Sequence, residues 1–278
     1  MMERSIGQKT FMLSYRHAYH AGNPADVFKH AVLVAVVRAM QEKPRGIQFV
    51  DTHAGPALYR LADAEAQKNR EYDVGIGHWW SQQPDDPIMA DYLELLRSFN
   101  PSGRLECYPG SPMILRQLLR RNDRMVLCEL HPAEQRKLHQ RFGDDARVEL
   151  RLGDGYQALR KVLPPPGGRG LVLIDPSYER KDEWDDMHRA LQAALQRFAH
   201  GVYLIWYPLL ADHAASLDAL PNLLNLDQER WLDLRVEFPP EQRLGRMTGC
   251  GMALINCPFR ARAGLDRLAR DWSGSVRP

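Results

Sequence analysis

The chain has 278 residues, 44% of them hydrophobic and 26% charged, with a formal net charge of +2. A chain of this length buries roughly 75% of its unfolded surface and supports one large domain with room for a subdomain. The composition excludes a disordered or fibrous chain, and so small a net charge does not by itself argue for nucleic acid.

Met1 to Phe11 is polar and without pattern, and is read as an N-terminal extension. Asn23-Pro24 supplies an N-cap and a first-turn proline, and the apolar run Val27 to Met40 predicts a buried helix. Ile47 to Val50 reads as a strand ending at Asp51-Thr52-His53-Ala54-Gly55. From 56 to 107 the strand–helix alternation stops. Ile76, Trp79 and Trp80 share one helical face, as do Ile88, Tyr92, Leu95, Leu96 and Phe99, which predicts a helical insertion with its own small core.

Alternation resumes at Ser111-Pro112, read as the cap of a helix through Leu119. Strands are predicted at Met125 to Cys128, Val148 to Leu152, Leu171 to Ile174, Val202 to Trp206, Leu232 to Phe238 and Gly251 to Asn256. Helices are expected over about 132–142, from Tyr156, and over about 184–199. Seven strands with interleaved helices give an α/β fold: a Rossmann-like, doubly wound seven-stranded sheet. The predicted division is 1–11 extension, 12–55 and 108–278 core, and 56–107 helical insertion subdomain.

The apolar stretches near 31–37 and 202–210 fall short of the roughly 18 residues that span a membrane, so no membrane association is expected. Cys107, Cys128, Cys250 and Cys257 form no C-x-x-C pair, which fits reduced thiols in a cytoplasmic protein.

Chemistry concentrates where predicted strands end. Asp51, Glu129, Asp154 and Asp175 each follow a strand, where open α/β sheets bind ligands. Glu129 is placed to hold ribose hydroxyls, and Asp154 with Gly155 to receive an adenine ring, which together imply an adenosine-type cofactor. The blander alternative is that such acids cap helices. The chain has neither G-x-G-x-x-G nor a Walker A loop to cradle phosphates, which favours S-adenosylmethionine over NAD or ATP.

The stretch Ser14 to His30, SYRHAYHAGNPADVFKH, gathers Tyr15, Arg16, His17, His20, Lys29 and His30. No carboxylate or thiol completes a metal set, and no metal is assigned. These side chains are read as lining a polar pocket for a cofactor carboxylate and a nucleic-acid backbone, against the bland reading of a solvated helix entrance. Leu171 to Glu179, LVLIDPSYE, runs from a buried strand into a carboxylate, a proline turn and an aromatic ring, an arrangement suited to a flat, amino-bearing base. Tyr178 is read as stacking on that base in preference to simple packing. Arg180, Lys181, Arg243 and Arg246 fall in predicted loops and are weak candidates for phosphate contacts.

These motifs resemble the bacterial 23S rRNA adenine-N6 methyltransferases of the RlmJ type. The resemblance runs over nearly the whole chain from Met12: MLSYRHAYHAGNPADVFKH, then DTHAG, a helical insertion, YPGSP at Tyr108 to Pro112, Glu129, Asp154-Gly155 and a D-P-P-Y type motif. It implies a class I, S-adenosylmethionine-dependent methyltransferase acting on the N6 amine of one adenine in 23S ribosomal RNA. The implied cofactor contacts are His30, His53, Ser111, Glu129, Asp154 and Gly155, with Lys29 added. Asp175 is the implied catalytic acceptor, with Tyr15, His17, Pro176 and Tyr178 on the substrate. Ser177 stands where the family has its second proline. A monomer is the expected state, and free RNA or an assembly intermediate the expected partner. The alternatives are a DNA adenine-N6 methyltransferase and a non-catalytic RNA-binding protein that retains a relic cofactor fold.

Overall fold

The computed structural model describes residues 17–180, 182–211 and 219–274. Tyr15, Arg16, Lys181 and the predicted extension lie outside them. Helix α1 (Pro24–Gln41) follows Asn23, whose side chain accepts the Asp26 N–H, and Pro24 opens its first turn. Strand β1 (Gln48–Asp51) comes next. The insertion then contributes β2 (Leu58–Arg60), α2 (Ala64–Asn69), α3 (Ile76–Trp80), α4 (Pro87–Ser98) and β3 (Cys107–Pro109). The two short strands pair antiparallel, Tyr59 opposite Tyr108, and clip the ends of the segment together. No pattern of three residues announces such a clip.

Helix α5 (Ser111–Leu118), β4 (Arg124–Glu129), α6 (Pro132–Phe142), β5 (Val148–Leu152), α7 (Gly155–Val162), β6 (Gly170–Ile174), α8 (Glu183–Arg197), β7 (Val202–Leu210), α9 (Leu220–Leu223), β8 (Trp231–Glu237), β9 (Met247–Ile255) and α10 (Phe259–Gly274) complete the chain. All seven predicted strands join one sheet, in the order β5-β4-β1-β6-β7-β9-β8. The first five run parallel; β9 slots in antiparallel between β7 and β8.

Strand β7 runs to Leu210, past the predicted end at Trp206. Pairing with β6 stops at Ile205, so Pro208, which has no N–H, lies where β7 has a neighbour on one side alone. Helix α5 also departs from expectation: its cap is Gly110, and Ser111 is its first residue.

Side chains on β6 alternate between two cores. Leu171 and Leu173 join the core formed with α1, α4, α5 and α10, while Val172 and Ile174 join the one under α7 and α8. All four are fully buried, which explains the continuous apolar run. Trp79 tilts against Trp272 at 5.5 Å, and Trp272 meets Phe28 edge-on at 5.3 Å, so the insertion packs onto α1 and α10. Sequence order steps from β1 outward to β4 on one side and to β6 on the other, opening a crevice at the carboxyl ends of all three. Among the described residues no helix is long and apolar enough to cross a membrane. Leu173→Ala is expected to cost about 2–5 kcal/mol, because its cavity lies under the strand that carries the crevice; urea denaturation of both forms measures it, and a loss below about 1 kcal/mol would show that the strand is not anchored as described.

Candidate active site

The crevice is a cleft of about 330 Å³, at the lower end of the usual range for small-molecule sites. It gathers His17, Lys29, His30, His53, Ser111, Glu129, Asp154, Gly155, Asp175 and Pro176 from segments far apart in sequence. Tyr178 is not among its lining residues. Its backbone is left-handed (φ 53°), its ring packs 4.4 Å from that of Trp184, and its hydroxyl donates to the Trp206 carbonyl at 2.7 Å.

Asp175 follows the last residue of β6, and its side chain is only 10% exposed. Its Oδ2 lies 2.5 Å from Lys29 Nζ, which reaches Asp26 Oδ1 at 2.8 Å. Asp26 also accepts the Gly22 N–H at 3.0 Å and sits 3.4 Å from His17 Nε2. Burial opposes the Lys29 ammonium, but the charges of Asp175 and Asp26 outweigh it and raise its pKa. Burial likewise opposes ionisation of Asp26, yet Lys29 carries its pKa well below the usual carboxylate range. Lys29 is therefore a fixed cation between two carboxylates, a place that its expected role toward the cofactor does not describe. Asp26 was missed because an acid three residues before a lysine reads as an ordinary surface pair of a helix.

The remaining walls come from backbone turns. Glu129 ends β4 and its carboxylate is held open by two N–H donors, Gly55 at 2.8 Å and His131 at 2.7 Å. Burial raises its pKa, and those two bonds oppose the rise. Asp154 caps α7, accepting from the Tyr156 and Gln157 N–H groups, so the capping alternative holds for this acid while its residue still lines the cleft. Gly155 is needed because a Cβ would overlap the Thr52 carbonyl, which lets α7 dock on the turn after β1. Ser111 donates its hydroxyl to Asp51 at 2.7 Å. Asp51 is buried and its pKa is pushed up to about 6, with Ser111 opposing.

His30 pairs through Nδ1 with the Tyr108 hydroxyl at 2.7 Å, which in turn meets Tyr92 at 3.0 Å. Burial, then the nearby Lys29 charge, pushes His30 well below its ordinary value; burial alone takes His53 down to about 4. Both imidazoles are neutral at physiological pH. Tyr156, edge-on to His53 at 5.1 Å, donates to Glu183 at 3.0 Å, and both line the cleft without having been expected there. Arg180, also on the lining, is tied to Asp182 and Asp186. Arg243 donates to the Phe238 carbonyl instead of facing the cleft.

Six carboxylates line the cleft against three cations, Lys29, Lys137 and Arg180. Such a wall repels phosphates and favours a cationic ligand, while the oriented Glu129 carboxylate suits a diol. This donor set fits a sulfonium nucleoside and does not fit a dinucleotide.

Residues 44–272 match the family model described as "Ribosomal RNA large subunit methyltransferase D, RlmJ". Two curated relatives are both named Ribosomal RNA large subunit methyltransferase J. The one from Haemophilus influenzae is 39% identical over 249 residues, covering 89% of this chain and 88% of the relative. The one from Escherichia coli is 37% identical over 249 residues, covering 90% and 89%. A crystal structure of a Legionella pneumophila protein superposes with a TM-score of 0.78 at 32% identity, covering 91% of this chain and 94% of that one.

The depressed His53 value makes a pH prediction. Unfolded chains take up this proton below about pH 6.5, whereas the folded site refuses it until about pH 4, so stability present above pH 6.5 is lost as pH falls toward 4. Asp51, whose value is raised, works in the opposite direction below about 6. Between pH 7 and pH 5, His53→Asn is expected to remove about 2 kcal/mol of that acid loss; equal slopes for wild type and variant in urea melts at the two pH values would rule out the neutral imidazole.

Proposed function

The chain belongs to the RlmJ family of ribosomal RNA large subunit methyltransferases, and on that premise we propose that it methylates the exocyclic N6 amine of a single adenine in 23S ribosomal RNA. S-adenosylmethionine is the methyl donor. The observation that carries the reading is the Asp175 carboxylate, pinned by Lys29 at the lip of β6 inside a cleft rich in carboxylates.

Glu129 would hold the ribose hydroxyls of the donor. Asp154 and Gly155 would meet its adenine, and His30, His53 and Ser111 its amino-acid end. When bound, the donor supplies an electrophilic methyl on a cationic sulfur. The chain's own residues prepare the nucleophile. An adenine turned out of its stack enters beside Asp175-Pro176. An aromatic amine is a poor nucleophile because its lone pair is delocalised into the ring. Asp175 and the Pro176 carbonyl accept hydrogen bonds from its two N–H groups and return that pair to nitrogen. Lys29 fixes the angle of the carboxylate, and His17, on the cleft lining, would meet the incoming nucleotide. To stack on the base, Tyr178 would have to leave its packing on Trp184 and its bond to the Trp206 carbonyl, and Tyr15 would contact the same substrate.

Positioning supplies most of the acceleration, about 7–11 kcal/mol where geometry is well set. The expected substrate is free RNA or an assembly intermediate, the protein acting as a cytoplasmic monomer, with residues 56–107 as a helical insertion subdomain packed on the core. Asp175→Asn keeps the shape but not the charge, and Lys29 retains Asp26. Its methyl transfer to deproteinised 23S rRNA is expected to fall by about 10²–10⁴-fold, with affinity for S-adenosylhomocysteine unchanged by calorimetry. Undiminished transfer in the variant would reject Asp175 as the acceptor, and preferential labelling of duplex DNA would favour the DNA enzyme instead.

A further inference from the structure

Glu71 lies outside the cleft, in the turn between α2 and α3, yet it ends a chain of contacts that begins at Asp175. Both of its carboxylate oxygens stand 2.9 Å from His20 Nδ1, and Oε2 also accepts the Asn23 side-chain N–H at 3.2 Å. Asn69 adds a bond to Oε1 at 3.3 Å. The Glu71 side chain is 10% exposed. Asn23 is the cap of α1, with its Oδ1 accepting the Asp26 N–H at 2.9 Å. Gly22, left-handed at φ 77°, gives its N–H to Asp26 Oδ2 and its carbonyl to the Ile76 N–H at 2.8 Å. A Cβ on Gly75 would overlap that same carbonyl, so the insertion abuts the turn backbone directly. Asp26 then holds Lys29, and Lys29 holds Asp175.

We propose that Glu71 is a positioning residue of the methyl-transfer reaction: by fixing His20 and Asn23 it locks the turn at 20–26, and so sets Asp26, Lys29 and finally the carboxylate of Asp175. The inference rests on the reading of Asp175 as the acceptor of the target amine. It gives the insertion a task in catalysis beyond covering α1. A side chain that merely stapled the insertion down would lower the melting temperature and leave the turnover of folded protein alone. A positioning residue lowers turnover while largely sparing donor binding, because Glu129, Asp154, His53 and Ser111 reach the cleft from elements that do not pass through this turn, and of the proposed donor contacts His30 alone lies on α1.

Charge makes the link sensitive to pH. Among the described residues Glu71, Asp26 and Glu179 act on His20, and together they outweigh burial and favour its protonated form. Removing the Glu71 charge weakens that preference, so His20 discharges at lower pH and the turn loosens there.

The test uses the full chain with Glu71→Gln, Glu71→Asp and Asn23→Ser. Serine still caps a helix but is too short to reach Glu71. Single-turnover transfer to unmethylated 23S rRNA is measured across pH, beside calorimetric binding of S-adenosylhomocysteine. Displacement of a reacting group by an ångström costs on the order of 10²-fold, so Glu71→Gln is expected to lose about 10–100-fold in rate with affinity within about 3-fold. The activity of Glu71→Gln should also decline at lower pH than that of wild type, and Glu71→Asp should recover part of the rate. Asn23→Ser should show the same split, and decides the matter if Glu71→Gln fails to fold. Wild-type rates in Glu71→Gln or Asn23→Ser, or equal losses of rate and affinity, overturn the proposal. Wild-type protein that labels no RNA would refute the functional reading instead, so the two failures are distinguishable.

Discussion

A charged lysine side chain that is 3% exposed can persist only if its surroundings supply the opposite charge, and here Asp26 and Asp175 do so from two different parts of the chain. Taking away one member of such a buried pair typically costs about 3–5 kcal/mol, since the other is left uncompensated. The α1 helix and the loop after β6 are thereby tied to each other through the ammonium. That tie orients a carboxylate at the switch point of the sheet. The position of β6, between β1 and β7 with apolar side chains on both faces, gives the carboxylate a rigid base.

Around this centre the electrostatics are sorted by depth. His30 and His53 are driven neutral, so they bond without adding cations. Carboxylates line the cleft in excess and select for a positively charged donor over a phosphorylated one. Of the cations on the lining, Arg180 is partnered by Asp182 and Asp186.

Much of this was legible in the sequence, for stated reasons. A strand buried on both faces must be apolar throughout, so Leu171 to Ile174 declared itself, and the acids after β1, β4 and β6 followed from where strands end. The motif at Ser14 to His30 marked the polar wall at His17, Lys29 and His30. What stayed hidden depends on contacts between distant residues. Asp26 looks like half of a solvated helix pair until the fold buries it with Lys29 against Asp175, and Glu71 looks like a loop charge until the fold brings it to His20 and Asn23. The β2–β3 clip pairs segments almost fifty residues apart and leaves no local turn signal. Ser111 looked like a cap because serine before proline usually is one, but Asp51 competes for its hydroxyl. The packing of Tyr178 on Trp184 depends on a helix that only the folded chain places beneath it.

Lys29 offers the most direct trial of this account, because the alternative role for it is to hold the donor. Lys29→Met keeps the length of the side chain and removes the charge. If the ammonium serves Asp175, transfer to 23S rRNA falls by about 10²-fold or more while S-adenosylhomocysteine binds with nearly wild-type affinity. Affinity lost in proportion to rate, or turnover left intact, would contradict it.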